Sequence, residues 1–285
     1  MTAPIDPALV EQFRRDGFVV IDGLLSDDEL AHYGPLVTDA VARRKQGAPP
    51  LAERNAYAQS FHQCINLWED YETVRPLTFH PALGRAAAEL LGVDGVRLWH
   101  DQALFKEAGG RETDAHQDHP YWPIVETDTI TAWIPFEGST LASGAMGYLP
   151  GSHLVGVRQF VNIFTAEDPG VLLDLPEIRA IEPVFVEVPR GAVAFHHGLT
   201  VHMAKPNTTD HDRAVHTIIY FLDGATRRNA HWHPSVDRDG IEVGGVIAGA
   251  CTPLVWPRAD DSLPEPPPPL PETIRAIAGV GTLPE

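Results

Sequence analysis

The stretch AVAFHHGLTVHMAKPNTTDHDRAVHTIIYFLD, residues 192–223, decides the predicted fold. Two runs rich in β-branched and aromatic residues lie in it, on either side of the segment KPNTTD at 205–210. Proline, asparagine and aspartate favour chain reversal, so the stretch predicts an antiparallel hairpin. In that hairpin, His202 and Arg213 should face each other across the two strands.

Shorter runs of the same kind recur through the middle of the chain, separated by Gly, Pro, Asn and Asp. They are VRLWHDQALF at 96–105, TITAWIPF at 129–136 and VFVEVP at 184–189. No helical pattern long enough for a parallel crossover lies between them, which favours antiparallel pairing. The predicted fold class is therefore mainly β with flanking helices, around a double-stranded β-helix core of the cupin-like jelly-roll type.

Helical signals concentrate in the first third of the chain. Ser26 with Glu29 three residues later is a capping box that starts one helix. Pro35 is expected to kink or split that helix. Another helix is predicted from about Pro81, with leucines and alanines on one face and Gly92 as its stop.

We expect residues 1–285 to form a single catalytic domain. Its parts are a helix-rich N-terminal region at about 1–94, the β-helix core at about 95–225 and a C-terminal extension at about 226–285. The extension contains a proline-rich run at 264–271, which should be extended. The residues after it are predicted to form either a short docked helix or a frayed tail.

Charge and cysteine content restrict the possible partners and the compartment. The 21 Lys and Arg against 39 Asp and Glu give a formal net charge of -18, which disfavours binding to nucleic acid or to an anionic membrane surface. Cys64 and Cys251 are far apart and form neither a disulfide framework nor a thiolate metal site. Since no signal-peptide-like or membrane-spanning apolar run occurs, we expect a soluble cytoplasmic protein.

The segment DAHQDHP contains the pattern His-x-Asp, with His116 two positions before Asp118. On a strand these side chains share one face. One more distant histidine would complete a 2-His-1-carboxylate triad, which leaves positions open on iron. His202 is preferred because the predicted hairpin sets Arg213 opposite it, and a guanidinium there would grip the far carboxylate of a dicarboxylate cosubstrate. The other candidates are His196, His197, His211 and His216.

Further side chains are predicted to border the site. Strand alternation over 96–106 would deliver Gln102 and Lys106 towards the barrel mouth. His119, Tyr121 and Trp122 follow the first ligand pair and are candidate substrate contacts. Phe61 belongs to a polar and aromatic segment, with Gln63 and Asn66, that is a candidate lid over the mouth.

Several motifs together resemble the phytanoyl-CoA dioxygenase (PhyH-like) family. They are FRRDGFVVIDGLLSDDEL at 13–30, HQDHPYWP at 116–123, the Ala132-Trp133 pair, GAMGYLPGSH at 144–153 and FHHGLTVHMAKPNTTDHDRAV at 195–215. The resemblance runs from about Phe13 to Trp256, nearly the whole chain. It implies an enzyme that uses Fe(II), 2-oxoglutarate and O₂.

The resemblance also implies roles for individual residues. His116, Asp118 and His202 match the metal ligands, and Arg213 matches the arginine that binds the cosubstrate. Lys106, Gln117, Trp133 and Gln102 match positions that line the cosubstrate pocket, although the proline usual after this lysine is absent here. The implied reaction is oxidation, most simply hydroxylation, of an unactivated C–H of a small molecule, with release of succinate and CO₂.

Two other classes of function stay open at this point. A zinc-dependent hydrolase could use the same three ligands with a water in the fourth position, but it would have no need of Arg213. A non-catalytic β-barrel that binds a metal or ligand would share the fold without turning over. No motif selects the substrate, although a secondary metabolite is preferred over a polyanion such as an acyl-CoA because no basic patch is evident.

Overall fold

The structure is a computed structural model, which describes residues 4–158 and 172–270. The α-helices are α1 (Pro7–Asp16), α2 (Asp27–Arg44), α3 (Ala56–Ser60), α4 (Leu67–Asp70), α5 (Arg75–Thr78), α6 (Pro81–Leu91) and α7 (Pro234–Asp237). The strands are β1 (Phe18–Ile21), β2 (His62–Ile65), β3 (Val96–Phe105), β4 (Thr113–His116), β5 (Thr129–Pro135), β6 (Met146–Tyr148), β7 (Val184–Val186), β8 (Val193–His197), β9 (His202–Ala204), β10 (Val215–Leu222) and β11 (Leu254–Trp256). Short 3₁₀ turns lie at Leu51–Glu53, His119–Tyr121 and Ser152–Val155.

The strands form two antiparallel sheets, and the predicted fold class is confirmed. The larger sheet has the order β1-β8-β5-β10-β3-β11, with β2 also paired to β3. The smaller sheet has the order β4-β9-β6-β7. Side chains from both sheets line one cavity, so the cavity lies between them, as expected for a jelly roll.

Strands from outside the predicted core complete the larger sheet. β1 pairs with β8 along its whole length, from Phe18 opposite His196 to Ile21 opposite Val193. β2 pairs with the end of β3, and β11 pairs with its beginning. The N-terminal and C-terminal regions therefore contribute strands as well as helices. The expectation of a single domain stays a prediction.

The predicted hairpin between residues 199–203 and 213–220 is wrong. β9 pairs with β4 and β6 in the smaller sheet, whereas β10 pairs with β3 and β5 in the larger one. Arg213 forms an antiparallel bridge with Lys106, through backbone N–O contacts of 2.9 and 3.0 Å. Arg213 therefore extends the ladder between β3 and β10 in the larger sheet. The turn-rich segment 205–210 carries the chain from β9 in the smaller sheet to this ladder.

Five of the helices, α1, α2, α4, α5 and α6, contribute side chains to the main hydrophobic core against the larger sheet. The capping box at the start of α2 is confirmed, with Ser26 and Glu29 bonded reciprocally. α2 runs unbroken through Pro35, so the prediction that this proline splits the helix is wrong. In α6, Leu83, Ala87 and Leu90 recur at helical spacing and are all buried in the main hydrophobic core against the sheet.

The C-terminal part of the chain is described up to residue 270. No regular helix or strand occurs over 264–270. The last residue of the predicted extended run, Pro271, falls outside the described residues, and the extended conformation stays a prediction. The possible terminal helix falls outside the described residues. Among the helices of the described part, none is long and apolar enough to span a bilayer.

Leu83→Ala should lower the free energy of unfolding by about 3 kcal/mol, because it removes a fully buried side chain from the helix–sheet core and leaves a cavity. Urea denaturation followed by circular dichroism measures the change. Leu154→Ala is the matched control, since this leucine is 73% exposed and its truncation should change stability by less than about 0.5 kcal/mol. Equal effects of the two changes would contradict the described packing.

Candidate metal centre

Three side chains from two neighbouring strands converge at one end of the smaller sheet. His116 ends β4 and His202 begins β9, and the two residues are register partners in the antiparallel ladder. Asp118 follows β4 by two residues and turns back towards both imidazoles. One ligand atom from each of the three residues lies within 4.8 Å of the others. This arrangement can hold a metal ion.

Backbone carbonyls fix the orientation and the tautomer of the His116 and His202 rings. His116 Nδ1 lies 2.8 Å from the Asp114 carbonyl oxygen, and His202 Nδ1 lies 2.9 Å from the Thr200 carbonyl oxygen. A carbonyl only accepts, so Nδ1 carries the proton in both rings and Nε2 keeps its lone pair. Each Nε2 is 3.6 Å from Asp118 Oδ1. Burial lowers the pKa of both imidazoles to about 4, so both are neutral near neutral pH and suited to bind a metal.

The second oxygen of Asp118 is held by two partners. Thr131 Oγ1 donates to Asp118 Oδ2 over 3.1 Å, and His196 Nε2 lies 3.2 Å from the same oxygen. Burial opposes ionisation of this carboxyl, but the surrounding histidines and the hydrogen bond from His196 outweigh it, so its pKa lies below the usual value. The carboxylate is therefore ionised and oriented, with Oδ1 turned to the ligand histidines. Because His196 donates to Asp118, it is a supporting residue and not a ligand.

Arg213 lies on the same cavity, and its buried charge has no counter-ion among the residues that the structure describes. Only 5% of the residue is exposed, and its described hydrogen bonding consists of a donation from Nη1 to the Gly144 carbonyl and the backbone bridge to Lys106. Nε is buried without a partner. The guanidinium carbon lies 5.0 Å from the centre of the Trp133 ring. Burial lowers the pKa of Arg213 to about 9, which leaves the side chain charged near neutral pH.

The cavity has a volume of about 1160 Å³, and most of the predicted site residues lie on it. Besides the three candidate ligands and Arg213, they are Gln102, Trp133, Tyr121, Trp122 and Phe61. Gln102 Oε1 accepts from Gln63 Nε2 over 2.5 Å, so the two amides form one polar strip on the wall.

Gln117 and His119 do not line the cavity. The Gln117 side chain donates to the Leu199 carbonyl over 2.7 Å and accepts from the Arg158 backbone over 2.9 Å, because successive residues around a strand point to opposite faces. His119 is 1% exposed and lies beside Trp122, with ring centres 6.4 Å apart. The Gln117 side chain therefore ties loops together, and the His119 ring is packed beside Trp122 without a hydrogen-bond partner among the described residues.

Lys106 also lies behind the cavity wall. It is fully buried, and its Nζ donates to the Arg111 carbonyl and lies 3.5 Å from Thr113 Oγ1. A Cβ atom added to Gly144 would lie 2.7 Å from Lys106 Cδ. The lysine stem thus packs against the loop whose carbonyl binds Arg213. In this geometry Lys106 supports the arginine and does not itself face the cavity.

The candidate lid is largely a fixed wall. Residues 62–65 are strand β2, and all four pair with β3, so Gln63 is held in the sheet. Phe61 is 8% exposed and its ring lies 5.1 Å from that of Tyr57. The side chains of this segment line the cavity as predicted, but the backbone pairing fixes them.

Sequence reasoning missed two groups of residues. Thr131 and His196 orient Asp118, but nothing in their local sequence marks this role. The segment 228–235, RNAHWHPS, forms an outer wall of the cavity, although we assigned it only to a C-terminal extension. Its density of histidine, tryptophan and asparagine was a signal that could have placed it at the site.

Thr131→Val should lower the affinity for Fe(II) by about tenfold, because it removes the hydroxyl that orients Asp118 while keeping the side-chain volume. Anaerobic calorimetric titration with Fe(II) measures this. Asp118→Ala, which removes a ligand, should have the larger effect. Thr208→Val in an exposed loop is the control and should bind like the unmodified protein. If Asp118→Ala bound Fe(II) as tightly as the unmodified protein, the Asp118 carboxylate would not be a metal ligand.

The comparisons with known proteins agree with this geometry. The family model "Phytanoyl-CoA dioxygenase (PhyH)" matches residues 13–215. A relative from Dictyostelium discoideum, "Phytanoyl-CoA dioxygenase domain-containing protein 1 homolog", is 31% identical over 206 residues. The alignment covers 71% of this chain and 65% of that relative, just under two thirds of its length.

Two solved structures from nogalamycin biosynthesis have the same fold. The non-heme alpha ketoglutarate dependent carbocyclase SnoK is 27% identical with a TM-score of 0.72, covering 89% of this chain and 99% of its own. The epimerase SnoN, in complex with Fe3+, alpha ketoglutarate and nogalamycin RO, is 27% identical with a TM-score of 0.72, covering 88% and 100%. The predicted enzyme class and its cofactors, iron and 2-oxoglutarate, are confirmed. The chain belongs to the phytanoyl-CoA dioxygenase (PhyH) family and has the fold of iron- and 2-oxoglutarate-dependent oxygenases.

Proposed function

We propose that this protein oxidises, by hydroxylation, an unactivated C–H bond of a small-molecule substrate, with release of succinate and CO₂ from 2-oxoglutarate. The observation that carries the proposal is the buried guanidinium of Arg213, which lies on the same cavity as the His116, Asp118 and His202 triad. Within residues 4–158 and 172–270, this guanidinium has no counter-ion and its Nε has no hydrogen-bond partner. A dicarboxylate that reaches from the triad to the arginine would neutralise that charge.

The residues present fit both iron and its cosubstrate. Two neutral imidazoles and one carboxylate are the donor set of non-haem Fe(II) oxygenases, and they leave coordination positions open on the metal. His116, Asp118 and His202 would hold the ion, and Arg213 would bind the far carboxylate of 2-oxoglutarate. Bound Fe(II) with 2-oxoglutarate and O₂ supplies the oxidising power for cleavage of a substrate C–H bond.

The protein's own contribution is orientation and exclusion of water. Thr131 and His196 hold the Asp118 carboxylate in one rotamer, and the Asp114 and Thr200 carbonyls fix the ring planes of the ligand histidines. The Trp133 ring covers the guanidinium of Arg213, so a carboxylate that binds there does so away from bulk water, where the ion pair is strong.

The size and lining of the cavity favour a small-molecule substrate. A volume of about 1160 Å³ leaves ample space beyond that needed for 2-oxoglutarate. The outer part is lined by rings such as Tyr57, Tyr121 and Trp122. SnoK and SnoN, from nogalamycin biosynthesis, are the similar structures reported above. These points support a secondary metabolite as the substrate class of this chain.

Asp118 favours hydroxylation over halogenation. A halide that is to be transferred must occupy a coordination position on iron, and here the Asp118 carboxylate would take that position. Arg213 likewise disfavours a zinc hydrolase, which would have no use for a buried cation beside the metal. A binder that does not turn over would retain 2-oxoglutarate and release no succinate.

Arg213→Met should weaken 2-oxoglutarate binding to the iron-loaded protein by at least about thirtyfold, because a buried charge pair is worth about 2 kcal/mol or more. Anaerobic calorimetry gives the dissociation constant, and succinate release after admission of O₂ should fall in parallel. Arg43→Met is the control, since this arginine is 55% exposed on α2 and lies far from the cavity lining. Equal cosubstrate affinity in Arg213→Met and the control would contradict the proposal.

A further inference from the structure

We propose that the substrate is a planar ring system that carries an anionic group, and that Arg228 recognises the anion while aromatic side chains hold the ring. This inference rests on the proposed function, because it assigns the outer part of the same cavity. The outer wall of the cavity is the segment 228–235. The outer wall lines the same cavity as the candidate metal ligands and Arg213, and it supplies about a fifth of the residues that line the cavity.

The outer wall is held in place by one buried arginine. Arg227 is 6% exposed and donates to three backbone carbonyl oxygens and to one carboxylate. The carbonyls belong to Asn229, His231 and Ile241, over 2.9, 3.2 and 2.6 Å, and the carboxylate is that of Asp237, over 3.0 Å. Such a set of bonds fixes the backbone of the wall, so its side chains have defined positions before a substrate arrives.

Aromatic rings from several segments line the cavity. Trp122 is only 6% exposed, whereas Trp232 on the outer wall is 42% exposed. Tyr57 and Phe61 line the cavity from the segment just before β2. A large, partly exposed tryptophan on the rim of a deep cavity offers a flat apolar face to a ligand, and stacked rings prefer flat partners.

The charges of the cavity select against a cation. Among the described residues, its charged lining side chains are Asp118, Arg213 and Arg228. Asp118 belongs to the metal and Arg213 to the cosubstrate. Arg228 donates from Nη2 to the Trp122 carbonyl over 2.8 Å and forms no ion pair within the described part of the chain. Its remaining N–H groups are therefore available for a carboxylate or an ionised phenol or enol, despite the acidic exterior of the protein.

A neutral imidazole adds a hydrogen-bond donor to this part of the cavity. His233 Nδ1 accepts from the Ser235 backbone N–H over 3.2 Å, and the ring stacks on Trp99 with centres 4.5 Å apart. Burial and neighbouring positive groups lower the pKa of His233 well below its usual value. The proton of the neutral ring is therefore on Nε2, which makes His233 a donor for an oxygen of the substrate.

The test uses the protein loaded with Fe(II) and saturating 2-oxoglutarate without O₂, so that Arg213 is already occupied. The probes are naphthalene-2-carboxylate, the neutral naphthalene-2-methanol and the cationic naphthalene-2-methylammonium, each titrated by calorimetry. We expect the carboxylate to bind at least about tenfold more tightly than the alcohol, and the ammonium most weakly. Arg228→Gln should remove that tenfold preference and leave the affinity for the alcohol unchanged.

Arg258→Gln is the matched control, because this arginine lies outside the cavity and should keep the preference. Three outcomes would each overturn the inference. The ammonium could bind as tightly as the carboxylate, the unmodified protein could bind none of the probes, or Arg228→Gln could keep the preference for the carboxylate. Titration of the iron-loaded protein with 2-oxoglutarate before the probes are added distinguishes failure of this inference from failure of the proposed function. If 2-oxoglutarate binds but the carboxylate probe is not preferred, only the proposed substrate class is rejected. If 2-oxoglutarate does not bind, the proposed function and the substrate class are both rejected.

Discussion

The buried charge of Arg213 is the constraint on which the functional account depends. The residue is only 5% exposed, and the described part of the chain offers its Nε no partner and its guanidinium no carboxylate. Such a buried charge is costly unless an anion completes the site. Its surroundings retain it: the Gly144 carbonyl accepts from it, Trp133 covers it and the stem of Lys106 packs behind that loop. A carboxylate that binds at Arg213 would therefore lie on the same cavity as the candidate metal ligands, as the proposed function requires.

The fold brings this charge to the metal from a different sheet. His116 and His202 are register partners in the smaller sheet, whereas Arg213 extends the ladder between β3 and β10 in the larger one. Because the two sheets face each other, the two histidines and Arg213 line one cavity although their strands do not pair with each other. The larger sheet also brings Thr131 and His196 to the outer oxygen of Asp118. One sheet thus supplies the candidate ligand histidines. The other orients the Asp118 carboxylate and carries the arginine that we propose for the cosubstrate.

Much of this could be predicted from the sequence, although not always for the right reason. The alternating runs predicted the strands, and His116 and Asp118 were found by a pattern that depends only on strand geometry. His202 does lie with His116 and Asp118 in a group that could hold a metal ion, but the hairpin used to select it does not exist. Local turn residues indicate that a chain changes direction and do not indicate which sheet it enters. Gln117 was misplaced for a related reason, since a family position does not show which way a side chain turns at the end of a strand.

The outer wall could not be placed from the sequence because its position depends on long-range contacts. Arg227 organises that segment through carbonyls up to 14 residues away in the chain, and its role is visible only once the chain is folded.

The most direct test of the account is anaerobic addition of Fe(II) and then 2-oxoglutarate to the unmodified protein, followed by visible absorption spectroscopy. Binding of 2-oxoglutarate to iron held by the triad should give the weak metal-to-ligand charge-transfer band of this complex. On admission of O₂ the band should disappear and succinate should form. Iron bound in stoichiometric amount with no band on addition of 2-oxoglutarate would contradict the account, because Arg213 and the triad would then not hold the cosubstrate together.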